Sequence, residues 1–371
     1  MKRKIQQLEG DSFLVGELPK GCSLCAKGSK MVLFVTGLCD SSCYYCPLSQ
    51  EKAGADVVFA DEMPVISDED ILFEVNAIGG EGAGISGGDP LCTLDRTLRY
   101  ITFLKKIRGQ KFHIHLYTSQ SDADENTLRK LKDAGLDEIR FHPQLSDWSG
   151  IETAIQLGMT VGIEVPALPN KSEELKKTAM RAEKIGVSFM NMNELESSET
   201  NFEKLVSMGM RLTSLDAASI EGSESTAQEV LAWASENLEA LSVHFCSARF
   251  KDAVQMRKRL ERRRDNVIRE FEEKDVLEPL MILGIIRAPH GQVLNIEHLE
   301  SLAKILKENF DVPSNLMNLD KTRMRIEIAA WILEEIHADI RQDFGLDQEL
   351  EIGTIFEYPT WDRLQILFDP L

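Results

Sequence analysis

Three of the chain's seven cysteines stand within eight residues, in the stretch GLCDSSCYYCPLS that starts at Gly37: Cys39, Cys43 and Cys46, spaced CxxxCxxC. Thiolates at that spacing can converge on one inorganic cluster if the chain wraps around it as a loop, and Ser41 and Ser42 are small and turn-compatible enough to let it. A [4Fe–4S] cluster normally takes four cysteine thiolates. With three, one iron stays open to a substrate or cofactor, much as a catalytic zinc keeps a position for water. Zinc is the competing reading, but structural zinc sites usually arrive as paired CxxC or CxH knuckles. This loop is not one.

The elements that must position these residues are legible upstream and downstream. The apolar run MVLFVT (31–36) leads into the loop, and further β-rich runs follow at 83–86, 111–117, 137–142, 160–165 and 187–193, with a seventh, LSVHFC (241–246), that can extend the series. Helix-length amphipathic segments alternate with them, the pattern of βα units around a parallel sheet. Ser67 with Asp70 marks a helix start, and Gly135, Gly158 and Gly186 mark helix ends. Six or seven units are too few for a closed eight-fold barrel, so the expectation is an α/β chain with a partial (βα)6 barrel of TIM type. The expected divisions are an N-terminal extension with a CxxC knuckle (1–29), the partial barrel (30–246), a long basic helix or linker (247–275) and a small α+β domain (276–371).

A second signal stands one βα unit after the cysteine loop: ISGGDPL, with Gly87, Gly88, Asp89 and Pro90. Alone it is weak, but after a three-cysteine loop it is not. Together the motifs resemble the radical S-adenosylmethionine (radical SAM) superfamily, whose CxxxCxΦC motif sits on the loop after the first strand of a partial (βα)6 barrel. Here Tyr45 is the aromatic Φ. Within the superfamily the chain looks most like uncharacterised proteins related to the activating enzymes of pyruvate formate-lyase, through PKGCSLCAKGSKMVLFVTGLC, MNMNELE (190–196) and HFCSARFKDAVQMRKR (244–259).

The resemblance implies a [4Fe–4S] cluster on Cys39, Cys43 and Cys46, with Tyr45 near the adenine of S-adenosylmethionine. It implies that Gly87, Gly88 and Asp89 hold the methionine amino group, although Asp89 departs from the commoner Glu. Ribose and adenine contacts would come from among His142, Glu164, Asn191, Asn193 and Glu194. Reductive cleavage to methionine and a 5′-deoxyadenosyl radical, then hydrogen abstraction, would be the chemistry. The electron would come from a donor such as ferredoxin or flavodoxin. The substrate stays open between a small molecule, a partner protein and RNA. The rival from another class is a zinc-stabilised binding protein without redox catalysis, which leaves GGDP unexplained.

Alternation along KFHIHLY sets His113, His115 and Tyr117 opposite the apolar Phe112, Ile114 and Leu116, and Arg140 and His142 oppose Ile139 and Phe141. With apolar faces toward the helices, His113, His115, Arg140 and His142 point into the barrel as candidate catalytic residues. So polar an interior reads as a cavity for a polar or anionic substrate. Cys22 and Cys25 form a knuckle that His244 and Cys246 could complete, as zinc or a second iron–sulfur site. Cys92 reads as a small buried hydrophobe.

A net charge of −19 argues against non-specific nucleic-acid binding by the chain as a whole. The local exception is 247–275, a helix rich in Arg and Lys that could dock an anionic partner. No signal core or membrane-length apolar run appears, so the expected location is the cytoplasm, with no membrane partner. Cysteine usage agrees with a reducing compartment.

Overall fold

The computed structural model describes residues 2–289, 292, 295–343 and 350–371. The chain divides into two compact units, Met1–Arg259 and Leu260–Leu371.

In the first unit a short hairpin, β1 (Ile5–Gln7) and β2 (Phe13–Val15), and helix α1 (Lys20–Ala26) precede the first central strand, β3 (Lys30–Phe34). The cysteine loop follows, then the two-residue strands β4 (Phe59–Ala60) and β5 (Met63–Pro64), helix α2 (Asp68–Ala77) and strand β6 (Gly82–Ser86). Four regular units come next: α3 (Leu94–Arg108) and β7 (His113–Thr118), α4 (Glu125–Ala134) and β8 (Glu138–Phe141), α5 (Ser149–Gln156) and β9 (Thr160–Ala167), α6 (Ser172–Ile185) and β10 (Phe189–Glu194). A segment holding the short α7 (Phe202–Ser207) leads to α8 (Ser223–Asn237) and β11 (Ser242–Cys246).

The sheet runs β1-β2-β11-β10-β9-β8-β7-β6-β3-β4-β5. Strands β3 and β6 to β11 pair in parallel, while the hairpin closes the far edge by pairing β2 antiparallel to β11. The barrel is therefore partial and open, with the seventh run inside the parallel series. The helix boundaries follow local chemistry: the Asp70 carboxylate accepts from the Ser67 amide, and Gly135 and Gly186 end α4 and α6 in the left-handed conformation.

Ile114, Leu116, Ile139, Phe141, Ile163 and Val243 join one large core between sheet and helices. The opposite, inner face is where sequence and structure part. It is filled, over its lower half, by α1. A side chain at Gly21 would collide with the His115 ring and the Arg140 guanidinium, and one at Gly82 with Leu24, so these glycines are what lets the helix nest against the inner face. The expected knuckle is thus the wall of a plug.

Residues 247–275 are not one helix. A π-helical turn, Phe250–Met256, runs into α9 (Arg257–Val267), and the chain then turns to β12 (Glu273–Lys274). Its cations are also engaged: Arg249 with Asp11, Lys251 with Glu196, Lys258 with Glu9, Arg259 with Asp61, and Arg264 with the carbonyls of Asp275 and Glu278. Partnered charges are a poor platform for RNA, and the expected anionic dock loses its support.

The second unit adds β13 (Met281–Arg287), α10 (Ile296–Glu308), β14 (Met317–Asp320), β15 (Arg325–Ile328), α11 (Ala330–Asp343), β16 (Glu351–Glu357) and β17 (Gln365–Pro370), in an antiparallel sheet of order β14-β15-β13-β16-β17 with β12 beside β13. Of the expected small α+β domain (276–371), residues 290, 291, 293, 294 and 344–349 lie outside the described residues. Leu299, Leu302, Leu306 and Leu333 pack the helices on the sheet. Arg269, Arg325 and Arg363 interlock with the fully buried Glu272, Glu327 and Glu357. Burial alone would raise the Glu327 carboxyl, but the hydrogen bond and charge of Arg269, with Asn318 and Arg325, together outweigh it and hold it down at about 2. Three cations against three anions make a structural lattice.

Candidate active site

The cysteine loop and the GGDP turn meet at the C-terminal mouth of β3 and β6, because these strands are parallel neighbours and their pairing continues past their ends. The amide of Gly88 donates to the Thr36 carbonyl and that of Asp89 to the Leu38 carbonyl, both at 2.7 Å. Side chains at Gly87 or Gly88 would run into those carbonyls. The glycine pair is thus required for close approach of two protein segments, beyond any ligand.

Cys39 and Cys46 are exposed, Cys43 is half-buried, and all seven cysteines are free. Burial pushes the Cys39 and Cys43 thiols up, against hydrogen bonds from Ser41 and Tyr45 that act to lower them. Among the described residues no group of three His, Cys, Asp or Glu is already arranged around a metal-sized hole. Three unpaired thiols on one glycine-lined loop, with no carboxylate or imidazole bonded to them, are a donor set that fits an iron–sulfur cluster. Cys92 is partly exposed rather than buried, its sulfur 3.7 Å from the Asp40 carboxylate of the same loop.

Struts that sequence reasoning missed hold this loop on its flanks. Ser41 donates to the Ser119 hydroxyl at 2.9 Å, and Ser119 donates in turn to Asp89 at 2.7 Å. On another flank, His142 donates from Nδ1 to the Glu164 carbonyl at 2.7 Å, which leaves Nε2 to accept from the Tyr45 hydroxyl at 2.8 Å. Gln144 donates to the same hydroxyl at 3.2 Å. From the α7 segment, Asn201 donates to the Tyr45 carbonyl at 3.1 Å and Thr200 to the Leu48 carbonyl at 2.6 Å. Leu195, Leu205 and Ile220 pack against Tyr44 and Tyr45. The one available signal was position: Thr118 ends, and Ser119 directly follows, the strand adjacent to the GGDP strand.

The expected catalytic set is brought together, but as a buried network. Arg140, 2% exposed, donates to Glu138 at 2.6 Å, Glu164 at 3.2 Å, the Tyr117 hydroxyl at 3.3 Å and Cys22 Sγ at 3.4 Å. His115 Nε2 lies 3.2 Å from the Tyr117 hydroxyl and 3.4 Å from Lys30, and His113 lies 3.6 Å from Glu138. Burial pushes all four histidines, His113, His115, His142 and His244, below their ordinary range. Neutral imidazoles and a doubly paired guanidinium do not make an anion site. Above them Glu164 accepts from Asn191 at 2.9 Å and Asn193 at 2.8 Å, and Glu194 accepts from the Ala248 amide.

Cys22 also accepts from Asn191 at 3.4 Å, and His244 bonds Asn191 at 3.3 Å, so the expected quartet of Cys22, Cys25, His244 and Cys246 is interleaved with asparagine and arginine. Burial holds His244 at about 4. Its folded pKa lies below the unfolded value near 6.5, so its contribution to stability is present above about pH 6.5 and is lost as pH falls toward 4. The linkage amounts to on the order of 3 kcal/mol. Denaturant titrations at pH 7 and pH 4.5 should show a smaller acid penalty in His244→Gln than in the parent; an equal penalty would assign the acid lability elsewhere.

Residues 33–182 match the model of the radical SAM superfamily, and 280–371 match a domain of unknown function, DUF8061. A putative glycyl-radical enzyme activating enzyme of Methanocaldococcus jannaschii is 36% identical, over 96% of this chain and 93% of its own length. The chain belongs to the radical SAM superfamily. It is a radical SAM enzyme, and membership implies a [4Fe–4S] cluster and S-adenosylmethionine. The zinc-stabilised binding protein is thereby set aside. Among solved structures, SuiB of Streptococcus suis aligns at 12% identity over 60% of this chain and 50% of its own, with TM-score 0.42. Coproporphyrinogen III oxidase of Escherichia coli aligns at 14% over 59% and 56%, with TM-score 0.36. Among the described residues no helix is long and apolar enough to cross a membrane.

Proposed function

We propose that Cys39, Cys43 and Cys46 hold a [4Fe–4S] cluster whose open iron takes S-adenosylmethionine, and that the substrate is a glycine residue of a partner protein. When bound, the cluster supplies the electron that splits the cofactor into methionine and a 5′-deoxyadenosyl radical, which takes a hydrogen atom from the substrate. The chain's own part is to present three unpaired thiols on a braced loop, to set the Gly87–Gly88 backbone beside it, and to place Tyr45, Glu164 and Asn193 at the same mouth. The observation that carries the reading is the meeting of the cysteine loop and the GGDP turn through paired main-chain hydrogen bonds. The partner-protein substrate rests on the name of the Methanocaldococcus relative. A one-electron donor such as ferredoxin or flavodoxin is required.

For Cys22, Cys25, His244 and Cys246 we infer a structural role in place of zinc or a second cluster. Asn191 and Arg140 already donate to Cys22, and a bound dication would face the Arg140 charge.

The test is anaerobic. After reconstitution with iron and sulfide and reduction with dithionite, the protein should convert S-adenosylmethionine to 5′-deoxyadenosine. Deuterium from a protein fraction labelled with α-deuterated glycine should enter that product. Label arriving only from a small-molecule fraction would overturn the protein substrate while leaving the radical chemistry standing.

A further inference from the structure

The carboxylate of Asp89 is the residue that the motif would aim at the ligand, yet it is 1% exposed and fully bonded to protein. Oδ1 accepts from the Leu91 amide at 3.0 Å and from the Thr118 hydroxyl at 3.0 Å. Oδ2 accepts from the Thr118 hydroxyl at 3.0 Å, the Ser119 amide at 2.8 Å and the Ser119 hydroxyl at 2.7 Å. A carboxylate offers about four lone-pair directions, so little acceptor capacity is left for an ammonium group. Asp is one methylene shorter than Glu, and here that length keeps the group over its own turn, where it caps the short helical turn Pro90–Thr93. The Ser119 hydroxyl that donates to Asp89 also accepts from Ser41, two residues from Cys39.

We propose that Ser119 is a positioning residue: it fastens Asp89 to the cysteine loop through Ser41, so that the carboxylate sets the relative placement of the two ligand-bearing segments and does not itself touch S-adenosylmethionine. The inference rests on the reading of the site given above. It assigns ligand contact to the Gly87–Gly88 main chain and alignment to the Ser41–Ser119–Asp89 chain. Loss of one hydrogen bond to a buried carboxylate typically weakens an arrangement by an amount equal to roughly tenfold or more in an equilibrium.

Three variants decide it: Ser119→Ala, Ser119→Thr and Asp89→Asn, each compared with the parent for iron per chain, for affinity toward S-adenosylmethionine, and for the change in the reduced cluster's paramagnetic resonance signal on adding that cofactor. Ser119→Ala should load iron as the parent does but bind the cofactor about tenfold more weakly, with an altered cofactor-induced signal. Ser119→Thr should restore both. Affinity that falls in Asp89→Asn but is untouched in Ser119→Ala would mean that the carboxylate contacts the ligand directly, and would overturn the proposal. In the metal-free protein, alkylation of Cys39 should run severalfold faster in Ser119→Ala than in the parent, with buried Cys22 as internal reference. That arm reads the strut even if the variant loads iron poorly, and equal rates there would also overturn it. A parent protein that loads iron and binds no S-adenosylmethionine would instead defeat the functional reading, while the alkylation arm would still report on the strut.

Discussion

Cys43→Ala is expected to fold as the parent does and to form no 5′-deoxyadenosine above background, a drop on the order of a thousandfold or more. The two halves of that result have separate causes. The loop is held by Ser41 to Ser119, by Tyr45 to His142, and by Asn201 and Thr200 to its carbonyls; the Cys43 sulfur meets only the Tyr45 side chain of this set, which His142 and Gln144 hold without it. The half-buried thiol can therefore be removed at a cost of about 1 kcal/mol or less. Cluster assembly is different, because two thiolates cannot replace three. Anaerobic reconstitution should give a parent protein with the brown absorbance of a cluster, and a variant with little iron and unchanged melting behaviour. Cys92→Ala is the informative companion, since Cys92 reaches Asp40 in the same loop. If Cys92→Ala lost iron as fully as Cys43→Ala, the ligand set would differ from the one assigned here. If Cys43→Ala kept its iron and turned over the cofactor, the assignment would fail outright.

How the loop came to be readable, and its braces not, follows from what each depends on. The cysteine spacing and the GGDP turn are contiguous, so chemistry and order along the chain suffice to find them. The parallel strands were legible for a similar reason: apolar runs such as MVLFVT and TVGIEV are local, and glycines such as Gly135 and Gly186 punctuate the helices between them. The Ser119 strut joins residues 78 positions apart, and Asn201 reaches Tyr45 across 156, so neither is visible to any local pattern. Alternation correctly turned His113, His115 and Arg140 inward. It could not show that α1 occupies the same space, because Gly21, Gly82 and Gly84 signal room only once the chains are packed. The basic run over 247–275 misled for the opposite reason. Composition reported its cations, while Asp11, Glu196, Glu9 and Asp61, which lie far away in sequence, neutralise four of them.

The plug also fixes what Arg140 should do when it is removed. Arg140→Leu is expected to destabilise the barrel unit by about 3–5 kcal/mol, the range for breaking a buried ion pair from one side. The guanidinium is the counter-ion of Glu138, which is 2% exposed in its side chain, and shares Glu164 with Asn191 and Asn193. Leucine would fill part of the volume and leave Glu138, among the described residues, with His113 as its ion-pair neighbour, whose neutral ring is 3.6 Å away. The stacking of the guanidinium on Tyr117 and Phe189, with centroids at 5.4 and 5.2 Å, would go as well. Denaturant unfolding followed by a probe in the barrel unit measures the loss. The double variant Arg140→Met with Glu138→Gln should recover a large part of it, because both charges then leave together. A catalytic Arg140 would behave in the reverse way, with stability nearly unchanged and turnover abolished in the single and double variants alike. Turnover per folded molecule in Arg140→Leu, measured at a temperature where it remains folded, therefore separates a plug from a substrate anchor.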